Sequence, residues 1–424
     1  MKYHKELIRT DVEWLPEIPN HWQLKRLKDD CLVETGSRNT EDKQNEGEYP
    51  FFVRSQTMEF IDTYSFDGEA ILTAGDGVGV AKVFHHYIGK FETHQRVYRI
   101  SKFKNIYGRF LFYYLQENLY KEVLKFNAKS TVDSLRMPMF QRFPVLVPPL
   151  HEQTAIAQYL DTKTQAIDKK VNLLEKKIGY YKELRKSIIN ETVTKGLDKS
   201  AVLQENDLGF ETPSAWSKKR LKDVGFLYSG LSGKSGDDFN QDDNPNNKGF
   251  IPFTNIANNT YLKKDHLGTV VVFEGEKQNK VKEGDIFFLM SSEGYEDIGK
   301  SAVLAENIAD TYLNSFCKGF RIKQKHCNPY FLNYLLLSDY YRQILIIEGK
   351  GFTRINLKME KINDFEVYLP KNLSEQSDIV TYLDHKTQTI NKIIGNIQNQ
   401  ITTLKELRKT LINDVVTGKI KVVE

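Results

Sequence analysis

A chain of 424 residues with 40% hydrophobic and 12% aromatic content is long enough for two or three domains with real cores. Its net charge of +4 permits a nucleic-acid partner without demanding one, and its three cysteines, Cys31, Cys317 and Cys327, make neither an even disulfide framework nor a CxxC pair. That usage argues against a structural zinc site and fits a reducing compartment. With no apolar run long enough to span a membrane and no signal peptide in MKYHKELIRTD, the chain is expected to be cytoplasmic.

Residues 1–150 read as a first globular segment. It opens with WLPEIPNHWQLKRLKDD, where Pro16 and Pro19 favour an extended entry and Trp14 and Trp22 are candidate buried anchors. Short strands follow in YPFFVRS, GEAILTAGDGVGVAKVF and QRVYRIS, rich in Val, Ile, Phe and Tyr and bounded by turn residues. After Asn105 the pattern turns helical in YGRFLFYYLQENLYKEVLKF, and the extended stretch FPVLVPPL closes the segment.

Residues 151–200 predict one long helix. Leu160, Ile167, Val171, Leu174, Ile178, Tyr181 and Ile188 recur at intervals of three, four and seven, which is the apolar seam of a coiled coil. Lys, Glu, Gln and Asn lie between them. Such a helix of roughly 44 residues would be about 65 Å long at 1.5 Å per residue. Alone it would expose its stripe, so it needs a partner.

Residues 201–372 predict a second globular segment on the same frame. Pro213, Trp216, Arg220, Leu221, Lys222 and Asp223 match Pro19, Trp22, Arg26, Leu27, Lys28 and Asp29. Strands are expected in GFIPFTNI, GTVVVFEG, GDIFFLMSS and KGFRIKQ. NPYFLNYLLLSDYYRQIL corresponds to the helix after Asn105, and FEVYLP to FPVLVP. The interiors differ strongly, and GLSGKSGDDFNQDDNPNNKG reads as a long polar loop with no counterpart.

Residues 373–424 repeat the helix. HEQTAIAQYLDTKTQAID and KELRKSIINETVTKG return roughly 223 residues later as SEQSDIVTYLDHKTQTIN and KELRKTLINDVVTGK, with about half the positions identical. Leu383, Ile390, Ile394, Ile397, Ile401, Leu404 and Leu411 reproduce the seam spacing. The simplest partner for each helix is the other copy. The alternative is that each packs only on its own globular segment. The expected fold is therefore α+β: two mixed α/β domains separated by a pair of long antiparallel coiled-coil helices, related by a pseudo-two-fold internal repeat.

Three motifs suggest chemistry and are weighed against plainer readings. GDGVGV, Gly75 to Val80, lacks the third glycine of a dinucleotide fingerprint and reads better as a tight turn, although Gly75, Gly77 and Gly79 beside Lys82 could let backbone approach a phosphate. Asn328, Pro329, Tyr330 and Phe331 superficially match an adenine-methyltransferase motif. The second proline is missing and no glycine-rich loop precedes, so a helix cap followed by Pro explains the run better. His85, His86 and His94 lack matched carboxylate or thiol companions, so no metal site is expected.

VEWLPEIPNHWQLKRLKD, the PPLHEQTAIAQYLD step into the first helix, KELRKSIINETVTKG, and EQSDIVTYLD with KELRKTLINDVVTGK together resemble the specificity subunits of type I restriction-modification systems. The resemblance covers the whole chain, although LPKNLSEQ replaces VPPLHEQ at the second helix entry. It implies two variable target-recognition domains (1–150 and 201–372) alternating with two helical regions (151–200 and 373–424). It also implies a non-catalytic DNA-binding role on a bipartite, asymmetric duplex site. The implied partners are two adenine methyltransferase subunits, which carry S-adenosylmethionine, and the motor-nuclease subunits. A lone methyltransferase or nuclease and a protein-only scaffold are the rival readings.

Arg can read guanine through two bonds, Asn or Gln can read adenine, and most DNA contacts go to phosphate. On that basis the candidates in the first segment are Arg54, Ser55, Gln56, Lys82, His94, Gln95, Arg96 and, in AKSTVD, Lys129, Ser130 and Thr131. In the second segment they are Thr254, Asn255, Ser291, Ser292, Lys300 and Asn314, with Lys350, Thr353 and Arg354 from GKGFTRIN.

Overall fold

A computed structural model describes residues 3–422 except 5, 78, 128–133, 242, 324, 326 and 352. The repeated stretches form two continuous helices, Leu150–Lys195 and Leu373–Val416. Both begin at the same register. The Gln153 side chain accepts from Tyr107 N–H at 2.6 Å and donates to Pro148 O at 2.7 Å. Gln376 accepts from Asn328 N–H at 2.8 Å and donates to Pro370 O at 2.9 Å. The helix entry therefore does not depend on the paired prolines found only in the first copy. Both helices end at a left-handed glycine, Gly196 with φ +73° and Gly418 with φ +75°, the conformation that closes a helix without a Cβ penalty.

All fourteen seam positions are buried or half-buried, whereas most residues between them are exposed. Leu160, Val171, Leu383, Ile390, Ile397, Ile401 and Leu411 are the buried ones. The two helices pack antiparallel, and their polar cross-links show it. Asp168 meets Arg408 at 3.0 Å, Glu175 meets Lys405 at 3.5 Å, and Arg185 donates to Asn391 at 2.8 Å, so one residue number rises as the other falls.

The chain divides into two compact units, Met1–Lys176 with Ile397–Glu424, and Lys177–Asn396. Each unit joins one globular part to a half of each long helix. In the first, a six-stranded sheet has the order Leu32–Thr35, Val97–Ser101, Phe66–Ala74, Phe84–Thr93, Tyr49–Phe52, Glu59–Ile61. All its pairings are antiparallel except Tyr49–Phe52 with Phe84–Thr93. The helix Gly108–Asn127 covers the sheet, and Ile71, Ile100, Phe110, Leu111 and Tyr114 share one core with Leu160 and with Ile412, Val415 and Val416.

In the second unit the equivalent sheet is split. Five strands run Gly225–Ser229, Cys317–Ile322, Ile286–Leu289, Ser301–Leu304, Tyr261–Leu262, and three run Gly268–Val271, Asn247–Ile251, Thr311–Leu313. Its core holds Trp216, Phe288, Phe320, Phe331 and Leu335 with Val193, Ile379 and Leu383 of the long helices.

The shared frame is built from the matched residues. Gln23–Arg26 pairs antiparallel with Pro144–Val147, and Ser217–Arg220 with Glu366–Leu369, so entry and exit of each globular part lie side by side. Trp22 Nε1 donates to Glu152 at 3.0 Å and Trp216 Nε1 to Glu375 at 2.9 Å. Tyr113 donates to Asp161 and Tyr334 to Asp384, both at 2.7 Å. Among the described residues no helix is long and apolar enough to cross a membrane.

Three local expectations are refined. The run after Asn328 is two helices, Pro329–Leu337 and Asp339–Glu348, not one. Ser338 is extended between them, and Asn190 holds Asp339 through two 2.8 Å bonds. The strand expected to run through PFTNI stops at Ile251, and Phe253–Asn258 is helical. The ten-residue strand Phe84–Thr93 takes in HHYIGK, which carries no clear strand signal.

Candidate nucleic-acid interface

In the first unit, Arg54, His94 and Arg96 converge on one rim of the sheet. Arg54 follows the strand Tyr49–Phe52, and His94 to Arg96 form the turn between the strands Phe84–Thr93 and Val97–Ser101. The residue that joins them is Asp76, just past the strand Phe66–Ala74. Arg54 Nη1 donates to its Oδ1 at 2.8 Å, and Arg96 Nη1 donates to its Oδ2. The carboxylate is largely covered, whereas both guanidinium groups are exposed. Burial acts to raise the Asp76 pKa, but the hydrogen bonds from Arg54 and Arg96 outweigh it and hold the carboxyl below its ordinary range. His94 is buried, its Nδ1 accepts from Arg96 N–H at 3.0 Å, and burial first, then the Arg54 and Arg96 charges, pull its pKa down.

The other first-unit candidates lie around this cluster. Gln95 donates to the Asn39 side chain. Ser55 closes a short turn with Thr57, and Gln56 reaches Phe84 O at 3.4 Å. Lys82 is exposed, with its ammonium 5.6 Å from the Tyr120 ring centroid. Lys129, Ser130 and Thr131 lie outside the described residues. In the GDGVGV run, Gly77 takes φ +74°, so this is a tight turn, and its aspartate is the residue that bonds Arg54 and Arg96.

In the second unit, Ser291, Ser292 and Arg354 line a cavity of about 350 Å³ together with Phe253, Phe316 and Asp297. The Arg354 guanidinium lies 5.5 Å from the centroid of the exposed Phe316 ring. The buried Arg342 fixes the nearby loop by donating to Ile298 O at 2.6 Å and Glu296 O at 3.0 Å. Burial lowers its pKa to about 10, so it stays charged at neutral pH. Asn314 Oδ1 accepts from Phe316 N–H at 2.8 Å.

The remaining second-unit candidates are more dispersed. Asn255 is engaged with His266 O, Thr254 is exposed on the short helix Phe253–Asn258, and Lys350 and Thr353 are exposed near the strand Ile355–Asn356. Lys300 pairs with Asp297 at 2.6 Å and lines a different, larger cavity with Tyr261, Asp384 and Asn391. Asp76, Phe253 and Phe316, which the sequence did not single out, stand beside these candidates. A lone Asp inside a turn and two Phe just past strand ends carry no local pattern that sets them apart. Asn328, by contrast, is a helix cap, accepting from Tyr330 N–H at 2.9 Å and Phe331 N–H at 3.3 Å.

Comparison with known proteins agrees with this architecture. The family described as the type I restriction modification DNA specificity domain matches residues 19–176 and 213–403. The type I restriction enzyme MjaVIII specificity subunit of Methanocaldococcus jannaschii is 23% identical over 452 residues, covering 100% of this chain and 98% of that protein. The EcoDI specificity subunit of Escherichia coli is 28% identical over 206 residues, 49% of this chain and 45% of that protein.

Among solved structures, a chain from a study of complex assembly and conformational transition of the type I R-M system superposes with a TM-score of 0.71 at 14% identity, covering 95% of this chain and 99% of that one. The HsdS subunit from Thermoanaerobacter tengcongensis does so with a TM-score of 0.53 at 15% identity, covering 95% and 98%. At such identities the structural likeness speaks for the fold. With the family match present twice and in register with the internal repeat, the chain belongs to the type I restriction-modification DNA specificity family, the non-catalytic DNA specificity subunits of type I restriction-modification complexes.

Proposed function

We propose that this subunit reads an asymmetric duplex site in two separated parts, one by each globular part, in the cytoplasm. It docks two adenine methyltransferase subunits and, through them, the motor-nuclease subunits. S-adenosylmethionine is expected on the methyltransferases and not on this chain. In this reading residues 1–150 and 201–372 are the target-recognition domains, and 151–200 and 373–424 are the helical regions that space them. The observation that carries it is the pairing of a shared frame with unlike rims, Arg54, Asp76 and Arg96 in one and the Phe253, Phe316 and Arg354 cavity in the other. Two unlike readers on like scaffolds suit a two-part target whose halves differ. The DNA-contact candidates named above belong to this proposal, with Arg54, Arg96, Ser291 and Arg354 the best placed.

The test is to express the chain with its methyltransferase subunits and map methylated adenines across a genome. One motif of two short parts with a fixed gap is expected. Methylation by the chain alone would overturn the non-catalytic reading, and a single undivided motif would overturn the two-reader reading.

A further inference from the structure

The two globular parts put different chemistry at the same place. Strand register establishes the match. Phe52 pairs in parallel with Thr93, and His94 N–H donates to Phe52 O at 3.0 Å. Ile251 pairs in parallel with Leu313, and Asn314 N–H donates to Ile251 O at 3.2 Å. Ala74 pairs with Val97, and Leu289 with Cys317. Leu135 N–H donates to Gly75 O at 2.7 Å, and Leu357 N–H to Met290 O at 2.9 Å. In this register Arg54 stands where Phe253 stands, Asp76 where Ser291 stands, and Arg96 where Phe316 stands.

We propose that side chains at these equivalent positions choose the base in each half-site: Arg54 and Arg96, held by Asp76, read guanine in the first, and Phe253 and Phe316 receive a thymine methyl in the second. The inference rests on the reading above, that both globular parts contact duplex DNA.

The chemistry follows from what each cluster can hold. Asp76 engages one N–H of each guanidinium and leaves each Arg further donors from its set of five. A carboxylate between the two arginines repels phosphate, whereas the O6 and N7 acceptors of guanine are neutral and fit a guanidinium fork. It also restrains two side chains that would otherwise lose much rotamer freedom on binding. Asp76 is thus a positioning residue. In the second part both guanidinium positions are phenylalanines flanking the cavity of about 350 Å³, whose wall also carries Arg354 and Asp297, the latter paired with Lys300 at 2.6 Å. The apolar group that the major groove offers is the C5-methyl of thymine.

The test is selection from a pool of random DNA duplexes by the full chain assembled with its methyltransferase subunits. The wild type is expected to select guanine in the first half-site and an A·T pair in the second. Asp76→Asn and Arg96→Met should each weaken the guanine preference roughly 10-fold or more, with the second half-site unchanged, and Asp76→Glu should restore part of it. Phe316→Ala should relax only the second half-site. The unaffected half serves as the control for folding.

The proposal is overturned if the wild-type first half-site contains no guanine. It is also overturned if Asp76→Asn and Arg96→Met lower affinity for all sequences alike and reduce the salt dependence, the mark of phosphate contacts. A wild-type chain that selects no two-part site at all would instead remove the underlying reading, and this inference with it.

Discussion

Trp22 and Trp216 each bury an indole whose N–H must find an acceptor, and each finds the third residue of a long helix, Glu152 or Glu375. Glu152 also meets His21 at 2.8 Å. Replacing either glutamate with Ala strands a covered donor and should cost about 1–3 kcal/mol in urea unfolding. The aspartate-clamped turn at His94 is the pH-sensitive counterpart. Its folded pKa lies below the ordinary 6.5, through burial and then the Arg54 and Arg96 charges, with Asp76 and Asp42 opposing.

A depressed histidine contributes its stability above pH 6.5 and loses it as pH falls through the folded value. Protonation would also remove the Nδ1 acceptor for Arg96 N–H. The second unit uses Asn314 at the matching place, accepting from Phe316 N–H without titrating. His94→Asn should therefore keep the turn and reduce the fall in melting temperature between pH 7 and pH 5. An unchanged pH profile would show that His94 is not the titrating group.

At the scale of elements, the seam spacing is repeated in both helices because the same faces are buried in both. Leu160 and Leu383 are fully covered, each within the core of its own unit. Leu160→Ala and Leu383→Ala should each destabilise by about 2–5 kcal/mol, read from chemical denaturation. The helix ends are less alike. Ala at Gly196 meets left-handed strain of about 1–2 kcal/mol with only ordinary to slightly tight neighbours. Ala at Gly418 meets the same strain plus Pro19 atoms at 2.6 Å, so Gly418→Ala should be the more damaging of the two in thermal melts.

Periodicity revealed these rods and the matching Trp and Pro frame. It did not reveal the break at Ser338, because the apolar pattern of NPYFLNYLLLSDYYRQIL runs on through it. The break depends on Asn190 of the long helix holding Asp339, a contact across 149 residues of chain. The strand Phe84–Thr93 was hidden for a similar reason. His85 and His86 are polar, yet they pack or bond within the sheet, His85 with Ser55 O at 3.0 Å and His86 with Glu69 at 2.8 Å.

For the whole molecule, the shared frame predicts that the interiors are exchangeable. Replacing residues between Leu27 and Phe143 with the corresponding part of a relative should change one half of the methylated motif and leave the other half and the gap intact. A change in both halves would mean that the two readers are not independent.

The sequence alone determined the duplication, the two rods, the matched entry and exit segments and the family. The family came from the resemblance of particular motifs; the others are patterns of period and spacing along the chain, which local helix and strand geometry writes directly into residue order. Only the tertiary structure decided which side chains form each candidate rim. Arg54, Asp76 and Arg96 come from three separate connections, and Phe253, Ser291 and Phe316 from the start of a short helix, a two-residue strand and a turn; strand pairing brings each set together. Register couples residues far apart in number, and no local pattern carries that information.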